Sequence, residues 1–341
     1  MSRIGLPPLP ADMPPLDAPV FVAGHAGLIG SAIVRALQAA GYCNLILRTR
    51  AELELRDKQQ VDAFFEQHRP QYVLLAAGKV GGILENQSFP ADFIDANLAI
   101  SLNVLGAAHR TGVKRLLMFG SSCMYPKETA QPMPETALLS GHPEPTSLPY
   151  ALAKLASVQL CLAYNRQYGQ QRFIPLIPNS AYGPHDNFDP TSGHVLSALL
   201  ARFHRAKTEG APSVTLWGSG NPRREFIHSS DIAAACLLML RDELPSLQLP
   251  LNVGSGSDIS IRELAASIAH VVGYAGDLVW DSSKPDGAMR KLLDSSRMQQ
   301  LGWSAGVRLE DGLRDTYAWY VQHKAIGQEH PPSTAPAPSA I

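Results

Sequence analysis

The chain has 341 residues, of which 45% are hydrophobic and 17% are charged, and its formal net charge is -1. This length is enough to bury a sizeable core in one large domain or two small ones. A nearly balanced charge without a basic run gives no indication of a nucleic-acid partner, and no apolar run reaches the roughly 18 residues of a membrane span.

Short apolar runs alternate with longer amphipathic segments between residues 20 and 183. The predicted strands are Val20–Ala23, Leu45–Leu47, Tyr72–Ala77, Arg115–Phe119 and Phe173–Ile177. The predicted helices are Leu28–Ala40, Val61–Gln67, Ile94–His109 and Ala151–Tyr168. Alternation of this kind predicts an α/β fold, a Rossmann-like doubly wound parallel sheet with helices on both faces.

The pattern is less regular after residue 183. Predicted strands at Ser213–Trp217 and Arg224–Ile227 alternate with predicted helices at Asp231–Leu240 and Ile261–Val272. We therefore assign residues 20–183 mainly to the Rossmann domain. Residues 184–325 form mainly a smaller C-terminal α/β substrate-binding lobe, with helices that return to the sheet.

Both ends of the chain are predicted to be tails. Residues 1–19 are rich in proline, and residues 326–341 contain mostly small residues and proline. Proline cannot donate a backbone hydrogen bond, so such stretches rarely join a helix interior or a sheet. We expect the C-terminal tail to be disordered.

The four cysteines are far apart and show neither metal-ligand spacing nor a disulfide framework. They are Cys43, Cys123, Cys161 and Cys236. We therefore expect no metal site and a location in the reducing cytoplasm.

A glycine-rich turn follows the first predicted strand and opens the first predicted helix. It reads Gly24-His25-Ala26-Gly27-Leu28-Ile29-Gly30. Glycine lets backbone N–H groups approach a pyrophosphate, and the helix N-terminus adds positive potential. The turn therefore predicts a dinucleotide site. Its spacing, with two residues between successive glycines, is typical of the short-chain dehydrogenase family. The alternative is a glycine-rich turn without a ligand.

Arg48 and Arg50 follow the second predicted strand. An NAD enzyme usually places an acidic residue there for the ribose 2′-hydroxyl, whereas an arginine suits a 2′-phosphate. The two arginines therefore favour NADP. The alternative is a pair of exposed strand-end charges, because Glu52 follows closely.

Tyr150 and Lys154 are four residues apart on one predicted helix and share a face. An ammonium beside a phenol favours the phenolate and lowers the phenol pKa, which would make Tyr150 a usable general acid. Ser121, just after the fourth predicted strand, can hydrogen-bond a substrate carbonyl. With the glycine turn, this set resembles the extended short-chain dehydrogenases, which act mostly on nucleotide sugars.

Cys123 lies two residues beyond Ser121. Dehydratases of the extended family usually carry an acidic residue near this position. A thiol can instead exchange a proton at carbon if its environment lowers its pKa. The alternative is a small buried core residue, which is the usual role of a free cysteine.

Further motifs lie at Lys79–Ile83, Ser121–Lys127, Tyr164–Gly169, Tyr182–Phe188, Trp217–Gly220, Arg224–His228 and Lys284–Gly287. With them, the chain from about Val20 to Tyr320 resembles one branch of this family, the GDP-L-fucose synthases. The resemblance implies NADPH-dependent 3,5-epimerisation and 4-reduction of GDP-4-keto-6-deoxy-D-mannose to GDP-L-fucose.

The resemblance also implies residue roles. Cys123 and His194 would exchange protons at C3 and C5, with His185 as the second choice of histidine. Tyr150 would protonate the oxygen on C4 during hydride transfer, and Lys154 would hold the nicotinamide ribose and tune Tyr150. A plain reductase is disfavoured, because both Cys123 and His194 are present.

Binding roles follow from the same resemblance. Substrate-binding residues are Arg202, Trp217, Arg224 and Asp286. Cofactor contacts beyond the glycine turn and the two arginines come from Gly120, Ser122, Lys154, Pro178, Asn179, Ser180, Ala181 and His194. The alternative role for Arg224 is a surface ion pair with Glu225 or Asp231. The family further implies a homodimer that packs through Ile94–His109 and Ala151–Tyr168.

Three positions depart from the usual pattern of the GDP-L-fucose synthases. Ala26 replaces a frequent arginine, Gly78 replaces a frequent alanine, and Asn179-Ser180-Ala181 replaces a Thr-Asn-aliphatic run. The first departure removes a cation that could help to hold a 2′-phosphate. The last two border the cofactor and sugar region, so the alternative substrate is a related GDP-keto sugar of the dideoxy (colitose) or heptose type. A non-catalytic NADP-binding protein is disfavoured, because Tyr150 and Lys154 are both retained.

Overall fold

The computed structural model describes residues 12–190, 192–245, 247–284 and 286–323, without the side chain of Ile83. Its main sheet consists of β1 (Val20–Ala23), β2 (Leu45–Ile46), β3 (Tyr72–Leu75), β4 (Arg115–Phe119), β5 (Phe173–Pro178) and β9 (Leu251–Val253). These six strands are parallel and lie in the order β2-β1-β3-β4-β5-β9. Five of them, β1, β3, β4, β5 and β9, are buried along their whole length, as expected for strands covered on both faces.

Helices cover both faces of this sheet, and others pack in the C-terminal part of the chain. The helices are α1 (Leu28–Ala39), α2 (Lys58–His68), α3 (Ile83–Ser88), α4 (Pro90–Arg110), α5 (Leu148–Gln167), α6 (Val195–Thr208), α7 (Ser229–Met239), α8 (Ile261–Val272), α9 (Ser296–Gln300) and α10 (Leu309–His323). One face packs on α2, α4 and α5 through Val61, Val104 and Val158. The other packs on α1 and α7 through Ile33 and Ile232. The predicted Rossmann-like doubly wound fold is thereby confirmed.

The chain order places a crevice at the carboxyl ends of the strands. Strand β1 pairs with β2 on one side and with β3 on the other. The loops that follow β1 and β3 therefore diverge between these two strands. Ligands of open α/β sheets bind at such a switch point. The fold therefore brings the glycine turn of residues 24–30 to the position expected for a cofactor.

A third core lies in the C-terminal part of the chain. The remaining strands are β6 (Ser180–Tyr182), β7 (Ser213–Trp217), β8 (Arg223–His228), β10 (Asp258–Ser260), β11 (Asp277–Asp281) and β12 (Arg290–Lys291). Leu200, Ile268 and Leu313 of α6, α8 and α10 pack with Val214 and Phe226 of β7 and β8. Along the chain, α7 and β9 come between these elements. Helix α7 packs on the main sheet and β9 is one of its strands, so segments of the lobe and of the Rossmann domain alternate along the chain.

Local sequence explains several helix ends. Asp57 accepts hydrogen bonds from the backbone N–H groups of Gln59 and Gln60 at the start of α2. Ser260 and Glu263 form a capping box on α8, which ends at Gly273 with a φ of 74°. Such caps satisfy backbone groups that have no partner within the helix.

The described part of the predicted N-terminal tail packs on the domain. Asp12 forms an ion pair with Arg241 at 2.9 Å, Ala18 is buried, and the Cys43 N–H donates to the Leu16 carbonyl. Residues 1–11 and the predicted C-terminal tail, 326–341, lie outside the described residues. No helix in the described ranges is long and apolar enough to cross a membrane.

Candidate active site

One cleft of about 2330 Å³ runs between the carboxyl ends of the main strands and the C-terminal lobe. All the predicted site residues line it, although they are spread from Gly24 to Asp286. Residues from four strand ends and from both parts of the chain therefore share one concave site, the arrangement expected of a ligand pocket.

Two glycines of the turn are required by the packing of the chain itself. Gly24 has a φ of 79°, and a Cβ there would lie 2.7 Å from the Ala77 nitrogen. A Cβ on Gly30 would collide with the Gly24 carbonyl. Gly27 differs, because a Cβ there would make only an ordinary contact of 3.6 Å. Gly27 precedes α1 and offers no side-chain cap. The space beside it is suited to the close approach of a pyrophosphate to the helix N-terminus.

The residues between these glycines also fit a cofactor. His25, Ala26, Leu28 and Ile29 line the cleft. The Nδ1 atom of His25 is buried and has no hydrogen-bond partner among the described residues. Since buried polar atoms are normally paired, this nitrogen is available to a bound ligand.

The two strand-end arginines differ in how firmly they are held. The Arg48 guanidinium donates to the Leu47 carbonyl at 2.9 Å, lies 3.4 Å from His68 Nε2 and stands over the Phe64 ring. Arg50 is 73% exposed and pairs with Glu54. Arg48 is therefore the more ordered cation at this end of the cleft.

Tyr150, Ser121 and Lys154 form one cluster beside β4. The Lys154 ammonium donates to the Phe119 carbonyl at 3.0 Å and lies 5.9 Å from the Tyr150 ring centre. The Ser121 side chain is near enough to the Tyr150 phenol to affect its titration. This is the geometry of a phenol that can donate a proton to a carbonyl oxygen bound at Ser121.

Burial dominates the titration of this cluster. It raises the pKa of Tyr150, and a charge on Cys123 adds to that effect. Burial also lowers the pKa of Lys154 to about 8. The net direction is therefore opposite to the expected lowering of the Tyr150 pKa, because loss of water around the phenol is the largest effect on it.

Residues 120–124 hold Cys123 near Tyr150. Gly120, the residue after β4, is closely packed, since a Cβ there would lie 2.7 Å from the Met124 side chain. Ser122 is buried and begins a short 3-10 turn, Ser122–Met124, whose Cys123 N–H donates to the Ser121 hydroxyl at 3.2 Å. The Cys123 side chain is only partly buried and lines the cleft, so the core role is disfavoured.

His194 reaches the same cleft from the C-terminal lobe. It precedes the first residue of α6, and its Nδ1 lies 3.1 Å from the Asp186 carboxylate. This hydrogen bond raises the pKa of His194, while burial opposes the effect. The rival histidine, His185, also lines the cleft, but its ring packs against Trp319 at 4.7 Å.

The segment after β5 uses its asparagine internally. The Asn179 amide donates to the buried Glu225 carboxylate at 2.7 Å, and its oxygen accepts from the Ser180 N–H. Pro178, Ser180 and Ala181 line the cleft beside it. The Asn179 side chain is therefore a structural tie to β8, and the neighbouring residues are left to face a cofactor.

The predicted nucleotide-binding residues line the far end of the cleft. Arg224 is partly buried and donates to the Ala288 carbonyl. Its alternative surface ion pair is wrong, since Glu225 bonds with Asn179 and backbone N–H groups, and Asp231 accepts from Gly306 and Val307. Burial lowers the pKa of Arg224, although the guanidinium remains charged at pH 7.

The other three residues flank Arg224. Asp286 accepts from the Ser219 N–H and hydroxyl and so fixes the loop after β7. The Trp217 indole is exposed, with the Lys284 ammonium 5.8 Å from its ring. Arg202 on α6 lines the same cleft. An exposed indole in a cleft that is also lined by two arginines suits a flat base joined to phosphates.

Residues 20–254 match the profile of the NAD dependent epimerase/dehydratase family. This chain belongs to that family. GDP-L-fucose synthase 1 of Arabidopsis thaliana is 52% identical over 307 residues, covering 90% of this chain and 94% of that protein. GDP-L-fucose synthase of Escherichia coli strain K12 is 51% identical over 313 residues, covering 89% and 97%. The predicted resemblance to the GDP-L-fucose synthases is confirmed.

A solved structure also matches most of the fold. A GDP-mannoheptose C4 reductase from Campylobacter jejuni with NADP bound has a TM-score of 0.82 and 37% identity, covering 90% of this chain and 99% of that chain.

Family motifs did not reveal two buried carboxylates that organise the site. In the sequence, Asp186 stands out only as a member of the Tyr182–Phe188 motif. Its contact with His194 spans a loop, which has no periodic pattern that would predict the contact. Glu225 stands in a strand where a charged residue is unexpected, which was the only sequence signal that it has buried partners.

Proposed function

We propose that this chain converts GDP-4-keto-6-deoxy-D-mannose to GDP-L-fucose with NADPH, by inverting C3 and C5 and reducing C4. The observation that carries this proposal is the presence of two chemical sets in one cleft. Ser121, Tyr150 and Lys154 form a reductase set, and Cys123 and His194 add a pair that can exchange protons at carbon. A plain reductase needs only the first set.

Epimerisation uses the acidity that the C4 ketone gives to its neighbouring carbons. A proton leaves C3 or C5 to one group, and a proton returns to the opposite face from another. A partly buried thiol and an imidazole that titrates near neutrality are suited to these roles. Cys123 comes from the sheet and His194 from the C-terminal lobe, so the sugar can be held between them.

Reduction uses the reductase set. When bound, NADPH supplies the hydride for C4. Tyr150 donates its proton to the oxygen on C4, Ser121 positions that oxygen, and Lys154 carries a positive charge beside them. The raised pKa of Tyr150 keeps the phenol protonated until the oxygen of the substrate becomes a stronger base.

The GDP moiety lies at the far end of the cleft. Arg202 and Arg224 bind the diphosphate through their planar donor groups. Trp217 stacks on the base, and Asp286 supports this end of the cleft through its hydrogen bonds with Ser219. The reactive carbons then fall between the GDP site and the glycine turn.

Cofactor choice depends on the arginines after β2. We expect wild-type enzyme to bind NADPH at least tenfold more tightly than NADH, a difference of about 1.4 kcal/mol. Arg48→Ala should remove most of this preference and Arg50→Ala less, because Arg48 is the more ordered cation. Dissociation constants from fluorescence titration measure both effects, with Arg69→Ala as a control outside the cleft. Equal wild-type affinities for the two cofactors would contradict the NADP assignment.

We propose that the enzyme is a cytoplasmic homodimer that packs through α4 and α5. The outer sides of these helices carry Leu102 and Leu152, which are 55% and 43% exposed, and exposed leucines on adjacent helices suit an interface between subunits. Light scattering should give twice the 36.8 kDa of one chain. Leu102→Glu with Leu152→Glu should halve that mass, and Val321→Glu on α10 should not. A wild-type monomer at micromolar concentration would contradict this assignment.

A heptose substrate is the second candidate, because the similar Campylobacter jejuni structure is named a GDP-mannoheptose C4 reductase. The two candidates are separated by following NADPH absorbance with GDP-4-keto-6-deoxy-D-mannose and with keto-heptose and dideoxy analogues. NMR of the product must then show the L-fucose configuration. Faster turnover of a heptose, or a product that is reduced without inversion, would overturn the proposed function.

A further inference from the structure

Asp186 is a buried carboxylate that touches His194. Its side chain is 2% exposed. It accepts hydrogen bonds from the Asn187 N–H at 2.8 Å, the Ser197 hydroxyl at 2.5 Å and the His194 ring at 3.1 Å. These donors come from the loop before α6 and from its first turn, so the carboxylate links the loop to the helix.

We infer that Asp186 is a positioning residue for proton transfer, which holds the His194 ring so that Nε2 faces the substrate. An ionised carboxylate can only accept hydrogen bonds, so His194 Nδ1 carries the hydrogen in this pair. The proton-exchanging nitrogen is therefore Nε2. This inference rests on the proposed role of His194 in epimerisation.

His194 and Asp186 differ in how much of each side chain is exposed. His194 has a side chain that is 45% exposed, and it lines the cleft with Cys123. Asp186 also borders the cleft, but its side chain is almost wholly shielded and its oxygens are engaged by three donors, so the histidine is the member of the pair with a surface open to a substrate. The carboxylate thus acts through His194, in the same way that a buried acid fixes the tautomer of a catalytic histidine elsewhere.

Charge reinforces this orientation. Asp186 is the charged group in contact with the ring. The other titratable groups around this part of the cleft are Cys123 from the sheet, His185 from the loop, and Arg202 and Arg205 from α6. Asp189, on the same loop, bonds with Ser192. The contact with Asp186 raises the pKa of His194, so it favours the imidazolium form, which can deliver a proton to carbon.

The test follows the ring directly by ¹⁵N NMR of histidine-labelled, full-length enzyme. The His194 signals are assigned by their loss in His194→Asn. In the wild type, the neutral ring should carry its hydrogen on Nδ1. In Asp186→Asn, the His194 pKa should fall by about one unit or more, because an opposite charge beside the ring is lost. Ser197→Ala, which removes another donor to Asp186 but spares the His194 contact, should leave the pKa almost unchanged.

A kinetic measurement links this titration to function. The rate of deuterium exchange into the keto sugar is measured against pH in the wild type and in Asp186→Asn. A step that needs protonated His194 declines as pH rises through its pKa, so this decline should begin at lower pH in the variant. NADPH affinity should be unchanged. Ser197→Ala should keep the wild-type profile.

Two results would overturn the inference. One is a wild-type neutral ring with its hydrogen on Nε2, which is decisive even if Asp186→Asn does not fold. The other is a folded Asp186→Asn variant with an unchanged His194 pKa and pH profile, even if its rate is lower, since that would show a role only in loop structure. Failure of the proposed function is seen separately, as wild-type enzyme without exchange at either carbon, because the NMR titration needs no substrate.

Discussion

Tyr150→Phe is expected to abolish most C4 reduction while leaving the fold and NADPH binding intact. The phenol lies partly buried beside Ser121 and Lys154 and lines the cleft. Loss of a positioned proton donor typically lowers a rate by about 10²–10⁴-fold. Single-turnover consumption of NADPH at saturating substrate measures this step.

A matched control separates chemistry from packing. Tyr164→Phe removes a hydroxyl from the same helix, but Tyr164 packs with His109 and Phe173 outside the cleft. This variant should retain nearly normal reduction. Turnover within about threefold of the wild type in Tyr150→Phe would mean that another group supplies the proton.

Cys123→Ser and His194→Asn are expected to uncouple epimerisation from reduction. A hydroxyl is far less acidic than a thiol and forms a far poorer base at neutral pH, and an amide does not titrate near pH 7. Both variants should lose deuterium exchange at C3 and C5 by roughly 10²-fold or more. Because they retain Tyr150 and Lys154, they should reduce the keto sugar slowly without inversion, giving a D-configured 6-deoxyhexose.

The controls use residues of the same type. Cys43→Ser changes an exposed thiol far from the cleft, and it should exchange normally. His185→Asn tests the rival histidine, whose ring packs against Trp319, and should affect exchange less than His194→Asn. Normal exchange in both Cys123→Ser and His194→Asn would reject these two residues, while a loss in His185→Asn would favour the rival.

Features encoded locally in the sequence could be predicted. The buried parallel strands form short apolar runs, and the glycine turn combines a strand end, close backbone packing and a helix start within seven residues. Tyr150 and Lys154 share a face because four residues make about one helical turn. These signals place the sheet, the cofactor end of the cleft and the reductase set.

Features that depend on tertiary packing could not be predicted in this way. Asp186 meets His194 only after the chain turns at His185, whose φ of 67° is unusual for a residue with a side chain. Asn179 meets Glu225 across 46 positions. The pKa of Tyr150 depends on how much water packing removes, whereas the sequence showed only the charge of Lys154.

We infer that the residues of one cleft exchange protons at C3 and C5 of the keto sugar and also support reduction at C4. The most direct measurement gives wild-type enzyme the keto sugar with NADP⁺ in D₂O and follows each carbon by NMR. Exchange precedes hydride transfer and does not need a reduced nicotinamide, so deuterium should enter at both C3 and C5 without net reduction. Deuterium at neither carbon, from enzyme that still oxidises NADPH with the same sugar, would contradict the account and leave a simple 4-reductase.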